Sequence, residues 1–531
     1  MRMILALFVV SLLAYSCSAV DFTCPTTVVT RNTASREFPV GGSTLFPTNY
    51  TCTIEFQIPV GQVLKLGTQN NLLFDLDVGS LMIQDSASTQ YLLYVLDTVF
   101  YAPATNATLT ITTHTNTSSF YITWEYVDVT GFTKIQKPTG SIFPLNLTLN
   151  NYYQFTSPKS QVAFHTGSIK GDNDLSIYRI YVYDGEDLSA KFLGNLYEFT
   201  KNAMVSSGKS LTLVNYYNTT PPSYGIANDY SAISIYEDYG FYILSTSFRF
   251  FLSQNVSVGK ESVFTVFCYD CQYGYLSDIT FRKNTTGQEV RVRPMTPTDG
   301  YYANLLTYNI RDPVDSRLPQ QIATNLFTIS TYQADIYITI MTESYGWQKV
   351  VPGRTGSIVS PSLWNPKTVL TPAYFTNITS TQKVKFAFNL KSVTITAIGE
   401  KVRVEVGSSE STPSAVELDH STSNTEQIYE GTYMATSFSG LTSRSSFVMD
   451  FSIEMKYLSI FVLISIAFGA MANTQCGENE IFNECGSPCD RTCAEPFPTC
   501  IEMCQARCEC KPNFVIHPTT KKCVNLKKCP K

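Results

Sequence analysis

Histidine, tryptophan and charged residues are scarce in this sequence. It has four histidines and three tryptophans, and Asp, Glu, Lys and Arg together make up 15% of the residues, whereas about 25% is usual in soluble domains. No two of the histidines (His114, His165, His420 and His517) have the spacing of metal ligands, and none adjoins a nucleophile motif. We therefore expect no metal site, no cofactor and no enzyme, although catalysis by carboxylates alone stays open.

A strong net charge and long helix-periodic segments are also missing. The formal net charge is −5 at pH 7, so we expect no nucleic-acid partner. A chain rich in acceptors for N-linked glycans is typical of a secreted protein with a β-rich surface. Eight Asn-x-Ser/Thr acceptors are present, at Asn49, Asn106, Asn116, Asn146, Asn218, Asn255, Asn284 and Asn377.

The first residues have the three parts of a secretory signal peptide. Arg2 provides a positive charge, residues 4–13 are apolar, and residues 17–19 (Cys-Ser-Ala) form a small-x-small cleavage site. We predict that residues 1–19 are removed, that the mature protein starts near Val20, and that it is secreted.

The same three parts recur at residues 455–472, which read MKYLSIFVLISIAFGAMA. Lys456 is the positive residue, residues 457–468 are apolar, and residues 470–472 form an Ala-x-Ala cleavage site before Asn473. The simplest account is that two secreted proteins are joined in one sequence. A genuine fusion that is cleaved or retained at this point is the alternative.

A membrane-spanning helix at 457–472 is a further alternative, and it would make the protein membrane-associated. Its apolar run of about 16 residues is shorter than the roughly 20 residues that a bilayer requires. Such a helix would also place residues 473–531, which hold ten cysteines, in the cytosol, where disulfides rarely form. The signal-peptide interpretation is therefore favoured.

Residues 20–454 show the period-2 alternation of β-strands. In CTIEFQI, the apolar residues Cys52, Ile54, Phe56 and Ile58 share one face. The segments VKFAFNL (384–390) and KVRVEVG (401–407) alternate in the same way. Because turn residues divide these runs into short strands, the pattern predicts β-sandwiches.

Two recurring phrases divide this region into modules. One phrase stands near module starts, as GGSTLFP (41–47), TGSIFP (139–144) and TGSIVSP (355–361). The other stands near module ends, as FYIT from Phe120, FYIL from Phe241, IYIT from Ile336 and FVMD from Phe447. A sandwich domain takes about 100 residues. We therefore predict four modules, at 20–130, 131–245, 246–345 and 346–454, of which the third lacks the opening phrase.

The segment LSIYRIYVYDGEDLSAKFLG (175–194) resembles the central stretch of CUB domains, with an aromatic-rich strand, Asp-Gly and Leu-Gly. The region as a whole is similar to the nematode CUB-like proteins, with a degenerate third module. This resemblance implies jelly-roll sandwiches that bind an extracellular protein or glycan without catalysis, and a role in innate immune defence. Tyr178 stands where many CUB domains have a calcium-binding Asp, so we expect no such site in the second module.

The region also departs from CUB domains, which usually have two disulfides each. After signal removal only four cysteines remain before residue 455. Cys24–Cys52 is the bridge expected in the first module. Cys268 and Cys271 form a C-x-x-C motif, which we interpret as a structural bridge because no βαβ context for a redox centre surrounds it.

Residues 473–531 have little room for an apolar core, so covalent cross-links must replace it. Secretion and the even number of cysteines favour disulfides over a zinc site. The sequence alone leaves their pairing open. The ten cysteines are Cys476, Cys485, Cys489, Cys493, Cys500, Cys504, Cys508, Cys510, Cys523 and Cys529.

This spacing, from CGENEIFNECGSPCDRTC to the closing CEC, resembles the trypsin-inhibitor-like (TIL) cysteine-rich domain. The resemblance implies the pairs Cys476–Cys508, Cys485–Cys504, Cys489–Cys500, Cys493–Cys529 and Cys510–Cys523. It also implies an inhibitory loop between Cys500 and Cys504, which reads CIEMC. The complete chain is thus predicted to be all-β, with tandem CUB-like sandwiches before a small disulfide-rich domain.

Within the loop Ile501-Glu502-Met503, the resemblance assigns Glu502 to the main specificity pocket of a serine protease, with Met503 after the scissile bond. A trypsin-like pocket has an acidic base that would repel Glu502, and apolar pockets would also reject it. The target is therefore a protease that cuts after acidic residues, or the domain is a scaffold without inhibitory activity. Two functions compete: a CUB-like binding protein and a serine-protease inhibitor.

Overall fold

The structure is a computed structural model with two compact units, Met1–Lys456 and Tyr457–Lys531. The expectations for the two signal-like segments and for Asn284 fall outside the described residues. The structure describes residues 20–71, 81–94, 97–168, 175–199, 204–245, 250–283, 285–299, 303–344, 346–351, 353–367, 373–409, 411–440, 444–455, 476–486, 489–496, 505–511 and 514–529.

The described residues form an all-β fold. Its α-helices have one turn each: α1 (Tyr230–Ile233), α2 (Val314–Arg317) and α3 (Pro361–Trp364). Short 3₁₀ helices lie at Leu175–Arg179, Leu196–Phe199, Pro297–Asp299 and Leu526–Lys528. All other regular structure in the described ranges is β-strand, as the alternating apolar pattern predicts.

The first strand set packs two sheets face to face. One sheet has the order β3-β8-β5-β6, and the other has β9-β4-β7 with β1 and β2 both paired to β9. Ile54 and Leu109 of the first sheet and Leu66 and Ile122 of the second are buried in one core. The strands are β1 (Glu37–Phe38), β2 (Thr44–Leu45), β3 (Tyr50–Gln57), β4 (Gln62–Asn71), β5 (Leu81–Gln84), β6 (Gln90–Leu92), β7 (Val99–Pro103), β8 (Asn106–Thr113) and β9 (Ser119–Asp128).

The second strand set also has two sheets. Phe155 and Leu211 of one sheet share a core with Phe164 and Ala227 of the other. The strands are β10 (Thr133–Lys137), β11 (Ile142–Pro144), β12 (Asn151–Thr156), β13 (Val162–Ser168), β14 (Ile180–Asp184), β15 (Lys191–Asn195), β16 (Met204–Val205), β17 (Ser210–Asn215) and β18 (Ser223–Asp229). The sheet orders are β10-β12-β17-β14-β15 and β11-β18-β13-β16.

The third strand set repeats this arrangement strand for strand. Its sheet orders are β19-β21-β26-β23-β24 and β20-β27-β22-β25. In both sets the first strand pairs in parallel with the third. The strands are β19 (Tyr239–Leu244), β20 (Phe250–Asn255), β21 (Glu261–Cys268), β22 (Gly274–Phe281), β23 (Glu289–Pro294), β24 (Leu306–Asn309), β25 (Gln320–Ile322), β26 (Leu326–Tyr332) and β27 (Asp335–Met341).

The strands of the first set pair in the same order as those of the second and third sets, except that the first strand is reduced to a single bridge. In place of that strand, Val29 alone makes a parallel bridge to Phe56 of β3. Cys24 and Cys52 are joined by a disulfide, which ties the segment before this bridge to β3. The sheet β3-β8-β5-β6 corresponds to β12-β17-β14-β15 of the second set, and the pairs of β2, β9, β4 and β7 correspond to β11-β18-β13-β16.

The strands of the fourth set are hydrogen-bonded into one continuous six-stranded sheet, β28-β33-β29-β32-β30-β31, whereas each of the other sets has two sheets. The 21-residue strand β29 supplies two successive strands of the other sets without a turn between them, with a register shift between Thr379 and Val384. As in the first set, a single parallel bridge, here from Lys349 to Thr379, stands in place of the first strand. The strands are β28 (Thr355–Val359), β29 (Tyr374–Thr394), β30 (Lys401–Ser408), β31 (Ser411–Leu418), β32 (Thr425–Ser439) and β33 (Ser446–Met455).

The strand pairing corrects the predicted boundary at residue 245. The FYIL phrase at Phe241 lies in β19, which pairs with β21 and so belongs to the third set. The last strand of the second set is β18 instead. The boundary therefore lies before Tyr239. At the other end, β33 continues through Met455, the residue at which the second signal-like segment begins.

The second unit contains two short antiparallel hairpins. Strand β34 pairs with β35, and β36 pairs with β37. Its buried apolar residues, among those described, are Cys510, Val515 and Cys523. Because this core is so small, the disulfides must supply much of the stability. The strands are β34 (Glu480–Gly486), β35 (Gln505–Cys510), β36 (Phe514–Ile516) and β37 (Cys523–Asn525).

Candidate functional site

The inhibitory loop predicted between Cys500 and Cys504, with Ile501, Glu502 and Met503, lies outside the described residues. The structure describes the chain that leads into this segment, up to residue 496, and the chain that leaves it, from Gln505. These two segments, residues 489–496 and 505–511, form the frame of the candidate loop.

The chain before the loop is bound to the second hairpin. Thr492 makes a parallel bridge to Ile516 of β36. The Cys493 N–H donates to the Ile516 carbonyl at 3.1 Å, and the Ile516 N–H donates to the Arg491 carbonyl at 2.8 Å. Cys493 is also joined to Cys529 by a disulfide. This side of the loop thus has both covalent and main-chain anchors.

The chain after the loop enters β35 directly. Within this strand, Cys508 lies opposite Phe482 and Cys510 lies opposite Glu480 of β34. Disulfides join Cys476 to Cys508 and Cys510 to Cys523. This side of the loop is therefore fixed by a ladder and by two cross-links.

A charged contact links the two sides of the frame. Arg507 on β35 forms an ion pair with Asp490, and Arg491 donates from Nη2 to the Cys510 carbonyl at 2.6 Å. Asp490 and Arg491 precede the loop, whereas Arg507 and Cys510 follow it. These contacts hold the two chain ends in register with each other.

The three disulfides of this unit that the structure describes are the pairs that the TIL resemblance implies. Cys489 is disulfide-bonded as well. The implied pairs Cys485–Cys504 and Cys489–Cys500 include residues outside the described part, so they stay predictions. In the first unit, Cys268 and Cys271 are joined to each other.

No group of three or more His, Cys, Asp or Glu side chains that could hold a metal ion occurs within the described part of the chain. Tyr178, at the position of a CUB calcium ligand, stacks on Tyr197 with ring centroids 4.0 Å apart. No helix in the described ranges is long and apolar enough to cross a membrane; residues 457–472 are outside those ranges.

One pair of neighbouring carboxyl groups, the buried Asp85 and the exposed Glu198, bears on the carboxylate-only alternative. Asp85 and Glu198 both contact the Tyr91 hydroxyl, at 2.9 and 2.8 Å. Burial is the main cause that raises the pKa of each carboxyl. Asp85 also accepts the Ala87 and Thr89 N–H groups at 2.9 and 3.0 Å. The pair therefore makes a contact between the first and second strand sets.

The seven described glycan-acceptor asparagines all lie at the surface. Six are exposed and Asn377, within β29, is half-buried. Asn377 borders a pocket of about 300 Å³ on the outer face of the fourth set. Sequence reasoning found the acceptor but missed this pocket, because its other walls come from β30 and β32.

Two family profiles match the chain. The CUB-like domain matches residues 19–130, and the "Trypsin Inhibitor like cysteine rich domain" matches residues 476–529. Among solved structures, the CUB1-EGF-CUB2 domains of rat MASP-1 align with 40% of this chain and 99% of that chain, at 8% identity and a TM-score of 0.15.

The curated relatives match the second unit. "Serine protease inhibitor swm-1" of Caenorhabditis elegans is 43% identical over 60 residues, which are 11% of this chain and 43% of the relative. A "Chymotrypsin inhibitor" of Apis mellifera is 45% identical over 42 residues, which are 8% of this chain and 75% of the relative. The chain thus spans less than half of swm-1 but three quarters of the bee inhibitor. Through residues 476–529, the chain belongs to the trypsin inhibitor like cysteine rich domain family.

Proposed function

We propose that this is a secreted, non-enzymatic protein that inhibits a serine protease through the loop Cys500–Cys504. The observation that supports this most is the frame, in which both chain ends of the loop are fixed by disulfides and by β-pairing. A loop with anchored ends loses little conformational freedom when a protease binds it. The relatives named as serine-protease and chymotrypsin inhibitors point in the same direction.

Glu502 defines the protease class. A carboxylate that enters an acidic or apolar pocket is desolvated without a partner, at a cost of several kcal/mol. A pocket with a cationic or hydrogen-bonding base would accept it instead. We therefore propose a target that cleaves after Glu or Asp, with Met503 on the leaving side of the scissile bond.

Changing the specificity residue tests this assignment. Glu502→Arg, introduced in the full chain, should create inhibition of trypsin, since Arg matches the acidic base of the trypsin pocket. The control is Glu478→Arg, which makes the same charge change at an exposed residue outside the loop. Inhibition by both variants, or by neither when the disulfides are complete, would show that Glu502 is not the specificity residue.

A second function is proposed for residues 20–454. The same strand order recurs four times along the first unit, and a CUB-like profile matches the first set. We propose that the four sets are copies of one CUB-like module that together bind an extracellular protein or glycan. Capture of extracellular proteins, glycans or microbial cells on the immobilised full chain tests this, and a chain that retains none of them contradicts it. The role in innate immune defence stays a prediction of the resemblance.

A further inference from the structure

A pocket on the outer face of the fourth strand set carries a further inference. Phe375 points outward from β29 and is 59% exposed. The register places Phe375 opposite Ser437 of β32, which lies opposite Arg403 of β30. Residues that are paired in this way lie on one face of a sheet, with Cβ atoms about 5 Å apart. The three side chains thus form one row across the sheet.

The next row contains the glycan acceptor. Asn377 lies opposite Ala435, and Ala435 lies opposite Glu405. Ala435 has a small side chain, as does Ser437 in the first row, so the floor of the pocket is low. Together the two rows enclose a volume of about 300 Å³, which is at the small end for pockets that hold a small molecule.

Polar side chains on one wall are already held in place. Arg403 donates to Glu405 at 2.8 Å and to Glu417 at 3.3 Å. The Tyr433 hydroxyl donates to Glu405 at 2.8 Å. The arginine lowers the pKa of Glu405, so this carboxylate is charged at neutral pH. A ligand would therefore meet a fixed carboxylate, a guanidinium and two aromatic rings, those of Phe375 and Tyr433.

This combination fits a sugar. A pyranose ring has an apolar face of C–H groups, which packs against an aromatic ring, and an edge of hydroxyl and amide groups, which pairs with fixed charged groups. Asn377-Ile378-Thr379 is an acceptor for an N-linked glycan, and Asn377 itself lines the pocket. A sugar attached to Asn377 would thus lie next to the aromatic rings and charged groups of the pocket.

We propose that the pocket of Phe375, Arg403, Glu405 and Tyr433 is the seat of the first sugars of the glycan attached to Asn377. The proposal rests on the proposed secretion of the chain. The glycan would cover Phe375, a large apolar side chain that is exposed on β29, and would fix the outer face of the fourth set. The face would then be closed to other ligands.

Site-resolved deglycosylation of the native glycoprotein tests the proposal. The full chain is secreted from eukaryotic cells and treated without denaturation with a peptide-N-glycosidase in ¹⁸O-water. Mass spectrometry of the resulting Asp-containing peptides gives a rate for each acceptor. Asn255 is the matched internal control, because it is exposed at the end of β20 and has Ser253 two residues before it.

We expect release at Asn377 to be about three- to tenfold slower than at Asn255, as suits an aromatic contact. Phe375→Ala should remove this difference and leave the Asn255 rate unchanged; because Phe375 is exposed, the variant should fold. Equal rates in the wild-type protein would overturn the proposal. So would a slow rate at Asn377 that Phe375→Ala does not change, or an empty Asn377 beside an occupied Asn255. Absence of glycans from every acceptor of the secreted chain would also overturn the proposal, whereas retention of the chain inside the cells would instead contradict the proposed secretion.

Discussion

The hydroxyl of Tyr91, in the first strand set, contacts Glu198 in the second set at 2.8 Å. The same hydroxyl lies 2.9 Å from Asp85 and accepts from Asn195 at 2.9 Å. A tyrosine hydroxyl has one proton, so it donates to only one of the two carboxylates. A proton on one of the two carboxyl groups would turn the second close contact into a hydrogen bond, and burial raises the pKa of both Asp85 and Glu198 in the direction that favours this proton.

The stability of this junction should fall as the pH rises. Because the pKa of Glu198 is raised above 4.5 in the folded protein, the folded state binds more protons than the unfolded state, and stability is lost as the pH passes from 4.5 through the raised value. Glu198→Gln keeps the hydrogen bonds without this titration. We expect this variant to gain stability relative to the wild type between pH 4 and 7.

Hydrogen exchange of peptides around Tyr91 and Glu198 measures this local stability. Glu186→Gln, at an exposed loop position of the second set, is the matched control. If the wild-type protein and Glu198→Gln differ by the same amount at pH 4 and at pH 7, then the shared-proton account of the junction is wrong.

A half-buried histidine gives the opposite pH dependence. His165 of β13 packs edge-on against Tyr239 of β19, with ring centroids 4.6 Å apart, and burial lowers its pKa to about 4. The unfolded chain binds a proton near pH 6.5 while the folded protein does not, so stability is lost as the pH falls from about 6.5 to 4. The largest loss of stability that this shift in pKa can cause is about 3 kcal/mol.

His165→Phe should remove this loss, since phenylalanine keeps the ring contact and does not titrate. The local free energy of opening of β13, from hydrogen exchange corrected for intrinsic rates, should diverge between the two proteins below pH 6.5. If the free energy of opening of β13 depends on pH in the same way in both proteins down to pH 4, then His165 is protonated in the folded protein.

Arg354 joins the third and fourth strand sets from inside the core. Its guanidinium donates to the carbonyls of Trp347, Lys349 and Pro319 at 2.8, 2.6 and 2.8 Å. Burial lowers its pKa to about 10, so it stays charged at neutral pH. We expect Arg354→Met to destabilise this junction by about 2–4 kcal/mol, because buried carbonyls lose their donors.

Limited proteolysis and hydrogen exchange across β28 and β33 measure the Arg354 effect. Arg403→Met, at the surface of the same strand set, is the control and should change global stability little. An Arg354→Met protein as protected as the control would show that the guanidinium contributes no net stability.

The sequence between the two units predicts a specific peptide. Trypsin should release SSFVMDFSIEMK (445–456) only if Glu454 and Met455 are joined in the mature protein. If two proteins are joined in one sequence, native secreted material will lack this peptide and have a free terminus at Asn473. Detection of the peptide by mass spectrometry would show a genuine fusion, and the Asn473 terminus would then report whether it is cleaved.

The alternating apolar pattern predicted individual strands well. The predicted faces of CTIEFQI and KVRVEVG are the buried faces of β3 and β30. The FYIL phrase was assigned to the wrong module, since alternation identifies a strand but not its partner. The absence of glycine and proline between residues 374 and 394 was a readable sign of the continuous strand β29.

The disulfides and the pocket differ in how far the sequence could predict them. Cysteine spacing allows many pairings, and only the family resemblance singled out the pairs Cys476–Cys508, Cys493–Cys529 and Cys510–Cys523 that the structure describes. The pocket beside Asn377 depends on the register of three strands that are distant in sequence. No local pattern specifies this register.

The most direct test of the account is inhibition by the unmodified protein. The disulfide-intact chain is titrated against serine proteases with acidic, apolar and cationic specificity pockets, and any cleavage site is identified by mass spectrometry. We predict stoichiometric inhibition of a protease that cleaves after acidic residues, with slow cleavage between Glu502 and Met503. Rapid cleavage at this bond without inhibition, or no inhibition of any class, would contradict the inhibitor assignment and leave the second unit as a scaffold.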